Sequence, residues 1–293
     1  MQRCAYAALA VVLCAGATGC IRRTHVVAQV RPEANPKTAT LDQMLAGIDQ
    51  RDGAIKTLSL SVDIQASVGG AKKGSVTDYT SFSGYILLEK PNKLRVLGLL
   101  PVVHTRAFDM ASNGSTFKMW IPPKNKVIQG SDKVINPSPS PLENMRPYIF
   151  VESLLVKSVT PADFTYMAGA TRYVIEPNSK QLQERLDYDV GVLHRKGDTN
   201  QLLPSRIVHI SREDLMPYEQ DVYDPEGVIE TEAFYSDYKD FGGVIFPGTI
   251  RIMRPVEEYQ ITLTITKLTA NQTLADDQFE LKLPEGVLVQ QLP

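Results

Sequence analysis

Two segments of strict alternation dominate the chain. Leu58, Leu60, Val62, Ile64, Ala66 and Val68 are spaced by Ser59, Ser61, Asp63, Gln65 and Ser67, and Tyr259, Ile261, Leu263 and Ile265 by Gln260, Thr262 and Thr264. A period of two sets one face of each strand in a core and the other toward water. Weaker runs predict further strands near 80–90, 93–98, 103–111, 116–121, 126–130, 172–176, 186–194, 205–210, 218–223, 228–236 and 248–253. The segments Lys90-Pro91-Asn92-Lys93, Ser112-Asn113-Gly114, Pro122-Pro123-Lys124-Asn125 and Asp224-Pro225-Glu226-Gly227 separate them. Each supplies fixed φ, positive φ or a side-chain-to-backbone bond where a tight reversal needs one, so short antiparallel strands in sequence order follow.

Helical spacing occurs in two places. Thr40 can cap a helix through Asp52, with Leu41, Leu45 and Ile48 on one face and Gly53 just past its end. Later, Asn136-Pro137-Ser138-Pro139-Ser140-Pro141 forms a stiff connector into 142–156, where Met145, Ile149, Leu154 and Leu155 recur at helical intervals. Pro147 either starts the main helix of that stretch or kinks it. A helix near 141–156, set between two runs of strands, suits a cover over an open sheet.

The N-terminus has a different pattern. Arg3 precedes an uncharged apolar stretch, Cys4 to Ala15, that is shorter than the roughly 20 residues a bilayer span needs. Gly16, Ala17, Thr18 and Gly19 then lead into Cys20. The segment resembles the lipobox of bacterial lipoprotein precursors, with Ala17 where leucine is usual. That resemblance implies a signal peptide over 1–19, removed by cleavage, and acylation of Cys20. Residues 20–40 then read as the lipidated cysteine and a flexible tether, which spans at most about 70 Å, and 41–293 as a single domain. Cys4 and Cys14 would leave with the signal, so no internal disulfide can form.

Removing Arg3 from the 31 basic residues leaves 30 against 33 acidic ones, scattered along the chain. No basic stripe with interleaved aromatics offers a path for phosphates, so nucleic acid is excluded as a partner. Attachment to a membrane would be through lipid, which holds firmly only with more than one acyl chain.

Several turn segments, taken in order, resemble the superfamily of envelope lipoprotein carriers and acceptors of the LolA, LolB and RseB type. They are Glu89-Lys90-Pro91-Asn92-Lys93-Leu94-Arg95, then Ser112 to Phe117 through Trp120, and Pro122 to Val127. Gly242-Gly243-Val244-Ile245-Phe246-Pro247 and Asp277 to Val287 resemble the closing segments. The resemblance implies a mostly β fold with few helices: a curved antiparallel sheet forming a half-open barrel, covered by lid helices, with a concave face that receives acyl chains. A lipid-anchored chain fits the membrane-attached acceptor better than the soluble carrier, and Ile21 after the cysteine, where aspartate would signal retention in the inner membrane, points to the periplasmic face of the outer membrane.

From this follow the expected site residues. Leu97, Leu99 and Leu100, in the most apolar short segment of the domain, are candidates for contact with a bilayer or an acyl chain, beside the alternative that they pack at strand ends. Met110, Phe117, Met119, Trp120, Met145, Ile149, Phe150 and Leu154 are candidates for a cavity lining, because methionine and aromatic side chains adapt to variable shapes. Lys90 stands where the carriers have a basic residue that bonds lid-helix carbonyls.

Catalytic chemistry is not advertised. His25, His104, His194 and His209 are isolated in sequence, and neither HExxH spacing nor a Gly-x-Ser-x-Gly elbow occurs. Asp221, Asp224 and Glu226 read as a hairpin turn rather than a calcium loop, and Glu184, Asp187 and Asp189 as the solvated face of a strand. The expectation is a monomeric binding protein without cofactor or metal, which holds acyl chains of lipoproteins or lipids and meets a periplasmic carrier or another envelope protein. The alternative is an RseB-like sensor or interaction module that binds protein. A packed concave face would favour that alternative.

Overall fold

The computed structural model describes residues 25, 29–132, 144–175 and 181–292. Cys20, its signal segment and the proline run 136–141 lie outside them. Two compact units are present: a small one containing Arg172–Arg185 and residues up to Ala34, and a large one of Asn35–Thr171 with Leu186–Pro293. In the small unit, β1 (Val30–Arg31) runs parallel to the start of a longer strand, with Val30 beside Leu182.

Helix α1 (Leu41–Gly53) begins at a capping box in which the Thr40 hydroxyl accepts from the Gln43 amide and the Gln43 side chain accepts from the Thr40 amide. Two orphan donors of the first turn are thereby satisfied. A first run of strands follows: β2 (Thr57–Gly70), β3 (Ser75–Asp78), β4 (Phe82–Glu89), β5 (Lys93–Leu99), β6 (Arg106–Ser112), β7 (Thr116–Ile121) and β8 (Lys126–Ser131). Helix α2 (Pro147–Leu154) starts on its proline, whose fixed φ and missing N–H suit the first helical position.

The second run is β9 (Phe164–Ile175), β10 (Leu182–Arg195), β11 (Leu202–Ser211), β12 (Pro217–Tyr223), β13 (Ile229–Ser236), β14 (Lys239–Asp240), β15 (Ile245–Phe246), β16 (Thr249–Arg254), β17 (Tyr259–Ala270) and β18 (Leu288–Gln291). The sheet order runs β10-β11-β12-β13-β16-β17-β2-β4-β5-β6-β7-β8-β18, with β9 also beside β10 and β3 beside β2. The two strictly alternating segments are thus neighbours: β17 pairs with β2, Leu263 opposite Ile64. The sheet is mostly antiparallel, and β18 adds to β8 in parallel. The long sheet is mixed rather than purely antiparallel, and it does not close into a barrel.

Curvature follows from what α2 touches. It packs on β13 and β16 and also on β5 and β6. In a flat sheet β16 and β5 would stand four strand spacings, about 19 Å, apart, beyond the reach of a helix about 10 Å across. The sheet therefore bends around α2. Leu58, Leu60, Ile86, Leu94, Val96, Leu263 and Ile250 of its inner face form one core with Ile149, Phe150 and Leu154. A second cluster seats Met44 and Ile48 of α1 on Tyr188, Val190, Val208 and Ile210. The architecture is the mostly β, curved, helix-covered sheet expected from the sequence.

Candidate functional site

Of the residues expected to line a hollow, Leu154 borders an open cleft and most of the others sit in the core around α2. Met110, Phe117, Met119, Ile149, Phe150 and Leu154 are all buried in the larger core, and Met145 packs on it half-buried. Here the concave face is filled by the helix that covers it. Trp120 points the other way, because alternation along β7 sends Met119 inward and its neighbour outward; Arg106 lies 5.8 Å from its ring.

An open apolar cleft of 330 Å³ lies where the C-terminal ends of α1 and α2 approach the 243–247 segment. Ile55, Leu154, Leu155, Val244, Phe246 and Tyr238 wall it, and Gln50, Arg51 and Asp52 supply its polar edge. Arg51 is partly desolvated there, which lowers its pKa despite the nearby Tyr238 and Asp214. Tyr235, which also borders the cleft, keeps its hydroxyl buried without a hydrogen-bond partner, and burial pushes its pKa up. The segment Gly242 to Pro247, noted in the sequence only as a closing motif, forms this wall.

One knot of hydrogen bonds ties the helices to the sheet. Lys90, in the β4–β5 turn, donates to the Asp52 carbonyl at 2.5 Å and to the Asp52 carboxylate, at the end of α1. The same carboxylate accepts from the Ser158 amide, just past α2, at 2.9 Å. Burial alone would raise the Asp52 pKa, but the bonds from Lys90 and Ser158 and the lysine's charge outweigh it and hold the carboxyl below its ordinary value. Asp52 and Leu155 border both the 330 Å³ cleft and a second opening of 440 Å³ lined by Leu88, Lys90 and Val151. The knot therefore stands between two openings.

Helix α2 is pinned again at its start. The Arg254 guanidinium, 1% exposed, donates to the two oxygens of Glu257 at 2.5 and 3.2 Å, to Glu230 at 3.1 Å, to Thr231 at 2.8 Å and to the Tyr148 hydroxyl at 3.2 Å. Tyr148 in turn donates to Glu230 at 2.5 Å. Gln220 donates to the Glu152 carbonyl of α2 at 2.9 Å. Sequence alone gives no sign of this network, because its members come from α2, β12, β13, β16 and the turn after β16.

Leu97 and Leu99 lie half-buried on the outer face of β5, and Leu100 is half-buried where the strand ends. The apolar tip is one turn further on. Val102 is 91% exposed and Val103 63%, between Pro101 and His104 in the β5–β6 hairpin. Val102 holds φ at 70°, a region a β-branched side chain rarely adopts.

On the face of β10–β12 turned away from α1, two carboxylates flank an imidazole. Asp189 Oδ1 lies 2.7 Å from His209 Nδ1 and Asp221 Oδ2 3.4 Å from Nε2. Burial alone would lower the His209 pKa, yet the two carboxylates raise it to about 10. His209, isolated in sequence, thus has partners that only cross-strand register assembles. Asp189 and Asp221, expected in a solvated face and a turn, are these partners.

No family model and no curated protein matches the sequence. Solved structures do. A DUF1329 family protein from Desulfovibrio piger aligns with a TM-score of 0.50 at 17% identity, over 82% of this chain and 95% of its own. A LolA superfamily protein from Nitrosomonas europaea aligns at 0.48 and 12%, over 83% and 99%. A structure of the MucA/MucB complex of Pseudomonas aeruginosa aligns at 0.24 and 10%, over 83% and 62%. The likeness to the Desulfovibrio protein is one of fold.

Proposed function

We propose that this chain is an envelope lipoprotein, held at the periplasmic face of the outer membrane through Cys20, that takes up a single acyl chain in the cleft between its two helix ends. The observation that supports this reading is the 330 Å³ apolar cleft with Arg51 at its edge. A cavity at the small end of the range for small ligands suits one chain rather than several. Each buried methylene gains about 0.8 kcal/mol, so one chain suffices for useful affinity. Release of the Lys90–Asp52–Ser158 knot would join the two openings beside it, and a larger cargo such as a lipoprotein's acyl chains would enter then. The Val102–Val103 tip, rather than Leu99 and Leu100, would touch the bilayer. No helix among the described residues is long and apolar enough to cross a membrane. The role is one of binding rather than catalysis.

A second reading has an observation of its own: the concave face is packed, which favours an interaction module that binds an envelope protein. Mass spectrometry of lipid extracted from the full chain carrying Cys20→Ser separates the two. Co-purified single-chain lipid at near one per protein supports the cleft reading. Lipid-free protein that retains a specific envelope partner overturns it in favour of the second.

A further inference from the structure

The outer face of β10, β11 and β12 carries a group of ligating side chains that acyl binding does not use. Register sets Asp189, His209 and Glu219 abreast on the three strands. Asp221, two residues beyond Glu219, shares their face. His209, Glu219 and Asp221 each bring one ligating atom within 4.8 Å of the others. Asp221 is 9% exposed and its Oδ1 is buried without a hydrogen-bond partner. An unpaired oxygen of a buried carboxylate is costly, and Glu232, directly opposite Asp221 on β13, adds further negative charge. The buried, unpaired Asp221 oxygen beside these ligating atoms points to a positive ligand.

We propose that His209, Glu219 and Asp221 bind a divalent transition-metal ion of the zinc type, with Asp189 as the positioning residue. In a zinc site, nitrogen and oxygen ligands at 2.0–2.2 Å stand about 3.3 Å apart, so side-chain rotations of about an ångström close the present cluster onto an ion. Asp189 accepts from one ring nitrogen and leaves the other turned toward Asp221, the arrangement by which a carboxylate fixes the tautomer and orientation of a metal-bound imidazole. Imidazole with carboxylates suits zinc better than calcium or magnesium, which prefer all-oxygen sets. Without metal, a proton on the imidazole supplies the positive charge between the same carboxylates.

The test is calorimetric titration of zinc chloride into the full chain carrying Cys20→Ser, compared with the same chain carrying His209→Gln. The parent is expected to bind one zinc ion more than the variant. Glu219→Gln and Asp221→Asn should each weaken that site at least tenfold, and Asp189→Asn by roughly ten- to a hundredfold, while His104→Gln leaves it unchanged. Identical titrations of parent and His209→Gln, both folded by circular dichroism, overturn the proposal. Imidazole nitrogen resonances of the parent provide a readout free of variants: one equivalent of zinc should shift the Nε2 signal of His209, and an unmoved signal overturns the site and leaves an imidazolium clamp.

Discussion

Two polar side chains pin the start of α2 to the sheet. Arg254 is buried with Glu257 and Glu230, so Arg254→Ala leaves carboxylates without a counter-charge, and a loss of about 3–5 kcal/mol in urea unfolding is expected. Tyr148→Phe removes only a hydroxyl between Arg254 and Glu230 and should cost about 1–3 kcal/mol. Asp52 gives a pH signature. Its folded carboxyl titrates below the unfolded value of about 3.9, so its contribution is complete above that value and is lost as pH falls through the folded one. Thermal midpoints of the parent should drop more steeply below about pH 4 than those of Asp52→Asn; parallel curves would exclude the knot as a stabilising element. Such residues were illegible in sequence for a common reason. Asp52 read as a helix end and His209 as an isolated histidine, because Ser158, Asp189 and Asp221 are brought to them by the fold and by strand register rather than by spacing in the chain.

At the scale of elements, what was legible was periodic or capped. The alternation of 58–68 and 259–265 became β2 and β17, Thr40 became the cap of α1, and Pro147 became the first residue of α2. Thr40→Ala should cost about 1 kcal/mol, read from chemical unfolding, by removing one side of the capping box. Strand β9 was seen only at its end near 172–176, since its apolar residues are largely exposed and give no clean core face. The β5–β6 hairpin was seen as apolar, but the turn rather than the leucines carries the exposed side chains. Val102→Asp with Val103→Asp should abolish flotation of the Cys20→Ser chain with phospholipid vesicles without moving its thermal midpoint. Unchanged flotation would remove the tip from the account of membrane contact.

For the whole molecule, the sequence resemblance led to a bent sheet under helices, and the sheet bends around α2 as that requires. What it could not convey was how the space inside is divided. Alternation says which side chains face inward, but whether inward-facing groups meet each other or leave a void depends on the helix seated among them. Here α2 fills the middle, and space remains at its C-terminal end, beside Leu154, Leu155 and the 243–247 wall. The proposed acyl binding therefore turns on that end of the helix. Its most direct measurement is titration of a fluorescent single-chain fatty acid into the Cys20→Ser chain and into a chain that also carries Val244→Trp, whose indole would occupy the cleft. Saturable binding at one per chain in the parent, lost in the variant while its fold is kept, is the result this account predicts; equal binding by both chains, or none by either, would contradict it.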